Sequence, residues 1–263
     1  MVMSPACLDT GTALLLQQEE IPMTMQVVVV ATDGLVVVSD TESRLVEQGK
    51  AGPSVPAHIS KISVSHKHKA AIAVAGWSDI EAPVGGLLAR HLDTLSSLND
   101  DEIEGVLESW ANDYYKGTPF AESPTRGALF TLLIARPSNR FPILKVLVNK
   151  RSTVRAGKAG YMVGGYENHS AVFWLEYLRL HKEPHSIEES SAIAALTVLA
   201  AGEISPDDIG GLEIWQYRES WQELAPEQIS DLIGRFDLLK RSIRRTIRPN
   251  SKRDRSALLP SRA

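Results

Sequence analysis

Residues 23–40 read MTMQVVVVATDGLVVVSD. Two Val-rich runs, 26–31 and 35–39, flank Asp33-Gly34, and Asp-Gly between apolar runs is the strongest short hairpin signal. The reason lies in the backbone: a tight two-residue turn asks for positive φ at both central positions, which Asp and Gly tolerate. Val packs well on a pleated surface and has little helix propensity. Because both runs are apolar without alternation, they predict strands of a sheet covered on both faces. The hairpin begins on a hydroxyl, Thr24, and ends on a carboxylate, Asp40.

Working outward, a Gly/Pro/Ser-rich loop at Gly49–Pro56 leads to a second strand pair, Lys61–Val64 and Ala70–Ala75, which opens on an amine and closes on Ala75-Gly76. Helical spacing of Ile80, Val84, Leu87, Leu88, Leu92 and Leu95 predicts a helix over Ser78–Leu98. Asp100-Asp101 opens another, its acids suited to the positive end of the helix dipole. Ala128–Ala135 and Phe141–Val148 read as a hairpin, and Tyr161–Gly164 as a short strand. Helices are expected at Glu167–His181 and Ser186–Ala201, the second with a Ser186/Glu189 capping box. A strand at Gly211–Tyr217 and an amphipathic helix at Pro226–Ile247 complete the order. Strands, two helices, strands, two helices and a strand imply sheets sandwiched between helix layers.

Composition sets the outer bounds. A chain of 263 residues with 43% hydrophobic content can bury one large core. The net charge of −4 gives no general argument for a polyanionic partner, and nucleic acid is not expected. Cys7 is the single cysteine, which excludes an internal disulfide and suits a reducing, cytoplasmic compartment. No apolar run approaches the roughly 20 residues of a spanning helix, so no membrane partner is expected. Residues 1–22 lack the basic start and apolar stretch of a secretory signal. No histidine spacing suggests a metal: His66 and His68 lie in a turn beside lysines, and neither metal nor cofactor is expected.

Thr24, Asp40 and Lys61 put a hydroxyl, a carboxylate and an amine at the ends of adjacent strands, a set that nucleophilic chemistry on an amide needs where no His or Cys supplies the base. A neutral hydroxyl needs a base to become a nucleophile. If Thr24 were the first residue of the mature chain, its own α-amine, with an ordinary pKa of roughly 7.7–8, would be available. Removal of a 23-residue propeptide, or initiation at Met23 followed by loss of that Met, would each expose it. Gly11-Thr12 is an alternative start, but ALLLQQEE follows it without the hairpin and acid.

In these features the chain resembles the proteasome β-subunit family, including the bacterial two-ring peptidase subunits, all N-terminal-nucleophile hydrolases. Asp40 follows Thr24 by sixteen positions, the family's own distance, whereas Lys61 precedes Gly76 by fifteen, one more than usual. The resemblance spans about residues 24–217. It implies an α+β, four-layer αββα sandwich at 24–217, with a propeptide or upstream extension at 1–23; helical spacing separately predicts a helical extension at 218–248, and the basic, poorly apolar composition of 249–263 a disordered tail. It further implies that Thr24 is the nucleophile, Lys61 the cation that activates it, Asp40 the partner of Lys61, and the Gly76 N–H the oxyanion donor. Supporting hydroxyls depart from the pattern. Gly165 stands where the family has Ser, and in Pro206-Asp207-Asp208-Ile209-Gly210-Gly211 either Asp207 or Asp208 could supply the family's acid while Ile209 replaces its Ser.

The resemblance implies a threonine-type peptidase acting on peptides or unfolded proteins inside homo-oligomeric stacked rings, served by an ATPase or other regulator. Two rival readings are a non-catalytic assembly subunit, favoured by Gly165 and Ile209, and a small-amide hydrolase of the same fold. Leu87, Leu88, Phe173, Trp174 and Tyr177 are the expected subunit contacts.

Overall fold

The computed structural model describes residues 24–45, 55–76, 78–118, 121, 130–149, 152–157, 160–165, 169–177, 185–206 and 209–247. Cys7, Thr12, Met23, Asp207, Asp208 and the basic tail therefore lie outside the described residues, as do most residues of the 49–56 loop. The chain is α+β, with two five-stranded antiparallel sheets and five α-helices among the described residues. One sheet runs β10-β1-β2-β11-β12, formed by Tyr161–Gly165, Met25–Ala31, Gly34–Ser39, Glu213–Tyr217 and Trp221–Glu223. The other runs β5-β6-β7-β8-β9, formed by Ile62–Ser65, Ala70–Gly76, Phe130–Ala135, Ile143–Val148 and Thr153–Gly157. A separate ribbon pairs β3 (Glu42–Leu45) with β4 (Val55–His58).

Every strand of the 23–40 segment is buried because apolar side chains leave both of its faces. Val27, Val29, Val36 and Val38 enter one cluster with Leu175, Ile187, Ala194, Val198 and Ile214. The alternate residues Val28, Leu35 and Val37 instead meet Ile62, Ala71, Ala73 and Leu133 of the second sheet. Helix α4 (Ile187–Ile204), capped by the Ser186/Glu189 box, supplies much of the first cluster. Helices α1 (Ser78–Thr94) and α2 (Asp100–Lys116) cover the second sheet through Val84, Leu88, Leu92, Ile103 and Leu107. Helix α5 (Pro226–Ile247) lays Ile229, Leu232 and Phe236 against the α4 side and leaves Leu239 and Ile243 exposed. No described helix is long and apolar enough to cross a membrane.

The opening hairpin forms, with its turn one residue earlier than Asp33-Gly34 implies. Ala31 pairs with Gly34, so Thr32 and Asp33 are the turn, and neither Asp33 nor Gly34 has positive φ. Gly34 is required for a different reason. A β-carbon there would lie 2.0 Å from the Tyr217 carbonyl oxygen of β11. The turn is held from outside by Thr32 N–H donating to His185 O and Ile187 N–H donating to Asp33 Oδ1.

Other boundaries shift as well. Val55–His58 is a strand although it begins in the Gly/Pro/Ser-rich loop, and β9 and β12 carry no strong sequence signal. Because β12 pairs with β11, the sheet continues past Tyr217 to Glu223. The Glu167–His181 helix is, among described residues, a 3-10 turn at Ser170–Val172 followed by α3 (Phe173–Tyr177). Leu88 is fully buried in the α1/α2 core and cannot serve as a subunit contact, whereas Leu87, Phe173 and Tyr177 are exposed.

Candidate active site

The end of the β1–β2 ladder builds the first half of the site. Gln26 pairs with Ser39, which leaves Met25 facing Asp40. The Asp40 N–H donates to Met25 O at 3.1 Å. The Met25 N–H goes to the carboxylate instead, donating to Asp40 Oδ1 at 2.8 Å. Meanwhile the Asp40 carbonyl accepts from Ser39 Oγ at 2.9 Å. A side chain has thus taken the place of a main-chain acceptor, which fixes the carboxylate as firmly as the strand itself.

Lys61 arrives from the second sheet, at the residue before β5, where its carbonyl accepts from Val74 N–H at 3.0 Å. Its Nζ donates to Asp40 Oδ2 and to Thr24 Oγ1, both at 2.9 Å. All three residues are nearly inaccessible: Thr24 is 3% exposed, Asp40 0% and Lys61 3%. Burial pushes the Asp40 carboxyl up to about 6, with Lys61 and the Met25 N–H pulling the other way. Desolvation disfavours the charged form of an acid, so the ion pair with Lys61 is what keeps this buried carboxylate ionised near neutrality. Removing either partner would strand an unpaired buried charge.

Thr24, Asp40 and Lys61, three residues far apart in sequence, therefore meet as one hydrogen-bonded chain. Gly165 lies beside them, opposite Met25 on β10, with φ of +71°. A β-carbon at Gly165 would fall 1.9 Å from the Thr24 carbonyl oxygen and 3.2 Å from Ala75 Cβ. That contact brings the Ala75-Gly76 end of β6 next to Thr24. It also explains the departure from Ser at 165, because this backbone has no room for any side chain. On the other side, Gly210 O accepts from the N–H groups of Thr41 and Glu42, each at 2.9 Å, and Ile209 is buried.

Sequence reading missed Glu213. It is 4% exposed on β11, opposite Ser39, and accepts from Lys61 N–H (2.9 Å), Ser60 Oγ (2.7 Å) and Trp215 Nε1 (2.9 Å). The available signal was an acid inside the apolar run of 211–217, in a strand expected to be buried. Among the described residues, no group of three or more His, Cys, Asp or Glu is placed to hold a metal ion.

Two facing antiparallel sheets with a Thr-Lys-Asp chain at their seam define the class of structure to which this protein is to be compared. Two solved structures that share its fold are an Anbu Gly-1 mutant from Hyphomicrobium sp. strain MC1 and Anbu, an ancestral beta-subunit, from Yersinia bercovieri. The first matches with a TM-score of 0.61 and 12% identity, over 86% of this chain and 97% of that one. The second matches with a TM-score of 0.61 and 12% identity, over 91% and 99%. At this identity the likeness is one of fold. No protein-family model and no curated protein matches the chain. The expected place in the proteasome β-subunit family is corrected accordingly: the structural likeness runs to Anbu, a related but distant branch, and no family match accompanies it.

Proposed function

We propose that the protein is a threonine-type amide hydrolase of Anbu-like fold, with Thr24 as its nucleophile. The observation that carries this reading is the Lys61 Nζ, shared at 2.9 Å between Thr24 Oγ1 and Asp40 Oδ2 in a buried site. A protonated lysine cannot accept the hydroxyl proton. Its role is to lower the hydroxyl pKa and to stabilise charge developing on Oγ, while the α-amine of a terminal Thr24 takes the proton.

In that reaction Thr24 Oγ bonds to the substrate carbonyl carbon. The Gly76 N–H donates to the resulting oxyanion, and the C–N bond then breaks as the amine leaves with the proton. Water next attacks the ester, again with the α-amine as base, and the acid product departs. We read the layers as αββα, with a core from Thr24 to Glu223 and 1–23 as a propeptide or upstream segment. Peptide or unfolded-protein substrates, a cytoplasmic setting, and a homo-oligomeric ring assembly with a separate regulator complete the proposal. The likeness to an ancestral beta-subunit supports such an assembly.

The test is a chain made to begin at Thr24, with intact mass verifying its terminus. It should hydrolyse an unstructured peptide; Thr24→Ala should abolish turnover and Thr24→Ser should keep part of it. Wild-type turnover by Thr24→Ala, or full activity in a chain that retains residues 1–23, would sink the mechanism. A second reading, an assembly subunit without activity, is favoured by Gly165 and Ile209 standing where the resembled pattern carries hydroxyls. It predicts a stable oligomer whose Thr24-initiated form neither cleaves peptides nor reacts with a hydroxyl-directed electrophile.

A further inference from the structure

We infer that Glu213 is a positioning residue: by holding the Lys61 main chain from the opposite sheet, it sets where the Lys61 ammonium stands relative to Asp40 and Thr24. The inference rests on the proposed role of that trio.

The argument starts from the ladder. Val74 N–H donates to Lys61 O, which makes these two residues the facing pair that closes the β5–β6 ladder. A facing pair of this kind exchanges both of its N–H···O bonds in a regular antiparallel sheet. Here the Lys61 N–H is directed to Glu213 Oε2 at 2.9 Å instead. The acceptor belongs to β11, in the other sheet, and Glu213 faces Ser39, the residue before Asp40. One carboxylate therefore ties the chain carrying the cation to the strand pair carrying its counter-charge.

Its own position is well determined. Glu213 is buried and its Oε1 accepts both Ser60 Oγ and the Trp215 indole N–H. Carboxylates that accept several donors hold them more tightly than neutral acceptors do. Asp40 does the same at the β1–β2 end, taking the Met25 N–H. Two carboxylates thus replace main-chain acceptors at the two ladder ends that meet at Thr24. If Lys61 is released from Glu213, its main chain keeps the Val74 N–H bond within its own sheet but loses the direct tie to the strand pair that carries Asp40.

The experiment uses full-length protein and, separately, the chain beginning at Thr24. The principal variant is Glu213→Gln, which keeps the shape but replaces one acceptor oxygen by a donor. The readout independent of turnover is the titration of Asp40, followed by carbon NMR of labelled aspartate carboxyls and assigned with Asp40→Asn. Retreat of Lys61 should raise the Asp40 midpoint by about one pH unit, since an adjacent cation lowers an acid by roughly that much or more. Trp215→Phe removes another donor to Glu213 without touching the Lys61 bond, and should leave the midpoint unchanged. In the Thr24-initiated chain, Glu213→Gln should cut kcat by about tenfold to a hundredfold with KM little changed.

An unchanged Asp40 midpoint in a folded Glu213→Gln protein, with only a lower melting temperature, would overturn the inference and leave Glu213 a stabilising residue. If Glu213→Gln does not fold, Glu213→Asp, which shortens the reach while keeping the charge, must raise the midpoint, and an unchanged value there overturns it equally. A Thr24-initiated chain of otherwise wild-type sequence with no peptidase activity would refute the proposed function, while the Asp40 titration would still decide the role of Glu213.

Discussion

Introducing a hydroxyl at position 165 should damage the site. Gly165→Ser places a β-carbon 1.9 Å from the Thr24 carbonyl oxygen, against a limit of 3.0 Å that real contacts essentially never breach. Relief requires moving the Thr24 carbonyl or β10 by about 1 Å. Serine at φ of +71° adds about 1–2 kcal/mol, and overpacking a tight site adds about 1–3. A total near 3 kcal/mol lowers the melting temperature by roughly 6–12 °C in a domain of this size. Displacement of about 1 Å at a nucleophile also costs turnover on the order of a hundredfold. Urea unfolding and peptide hydrolysis on the Thr24-initiated chain read both effects. A Gly165→Ser protein with wild-type stability and rate would refute the close approach of β10 to Thr24, and with it the explanation for glycine at this position.

Two further outcomes are expected. Asp40, raised from 3.8 to about 6, binds its proton more tightly in the folded chain, so its stabilising contribution is complete below pH 4 and is lost as pH rises through 6. The stability difference between wild type and Asp40→Asn should therefore shrink as pH rises from about 4 to 7. In the Thr24-initiated chain the acid limb of peptidase activity should follow the α-amine near its ordinary value of roughly 7.7–8, with Asp40 protonation adding a further loss below about pH 6. A pH-independent difference between the two proteins counts against the burial of Asp40. Leu88→Ala should destabilise by about 2–5 kcal/mol, as for any filled core position, whereas Phe173→Ala, exposed on α3, should change the stability of a single chain by less than about 0.5 kcal/mol. Equal effects in chemical denaturation would mean that Leu88 does not face the α1/α2 core.

The residues at 24, 40 and 61 were legible because local patterns mark the strand ends on which they sit. Val runs and a turn signal locate β1 and β2, and strand ends place Thr24 and Asp40 side by side once the hairpin is accepted. The turn itself was misread by one residue, since Asp-Gly looks the same whether glycine serves φ or close approach to a third strand. Only the carbonyl of Tyr217, remote in sequence, decides between them. β9 and β12 escaped notice because each gains its strand character from the neighbour it pairs with. Glu213 was invisible for a related reason: its three donors come from Ser60, Lys61 and Trp215, and no spacing in the chain encodes that meeting. Leu88 and Leu87 show the limit of helical periodicity, which identifies an apolar stripe without saying which rim faces water.

The seam between the sheets has a consequence for when this protein can acquire chemistry. Gly165 and Glu213 lie in one sheet, with Thr24 and Asp40 flanking its strand ends, whereas Gly76 lies in the other, with Lys61 just before its first strand. Neither sheet alone holds both the hydroxyl and its cation. A nascent chain with its hairpins formed but its sheets still apart would carry an ordinary threonine on one side and an ordinary lysine on the other. Docking of Val28, Val37, Ala73 and Leu133 across the interior is the event that joins them. On the proposed mechanism, reactivity therefore requires both sheets to be docked, and a chain whose sheets are apart lacks the Lys61–Thr24 contact that the mechanism needs.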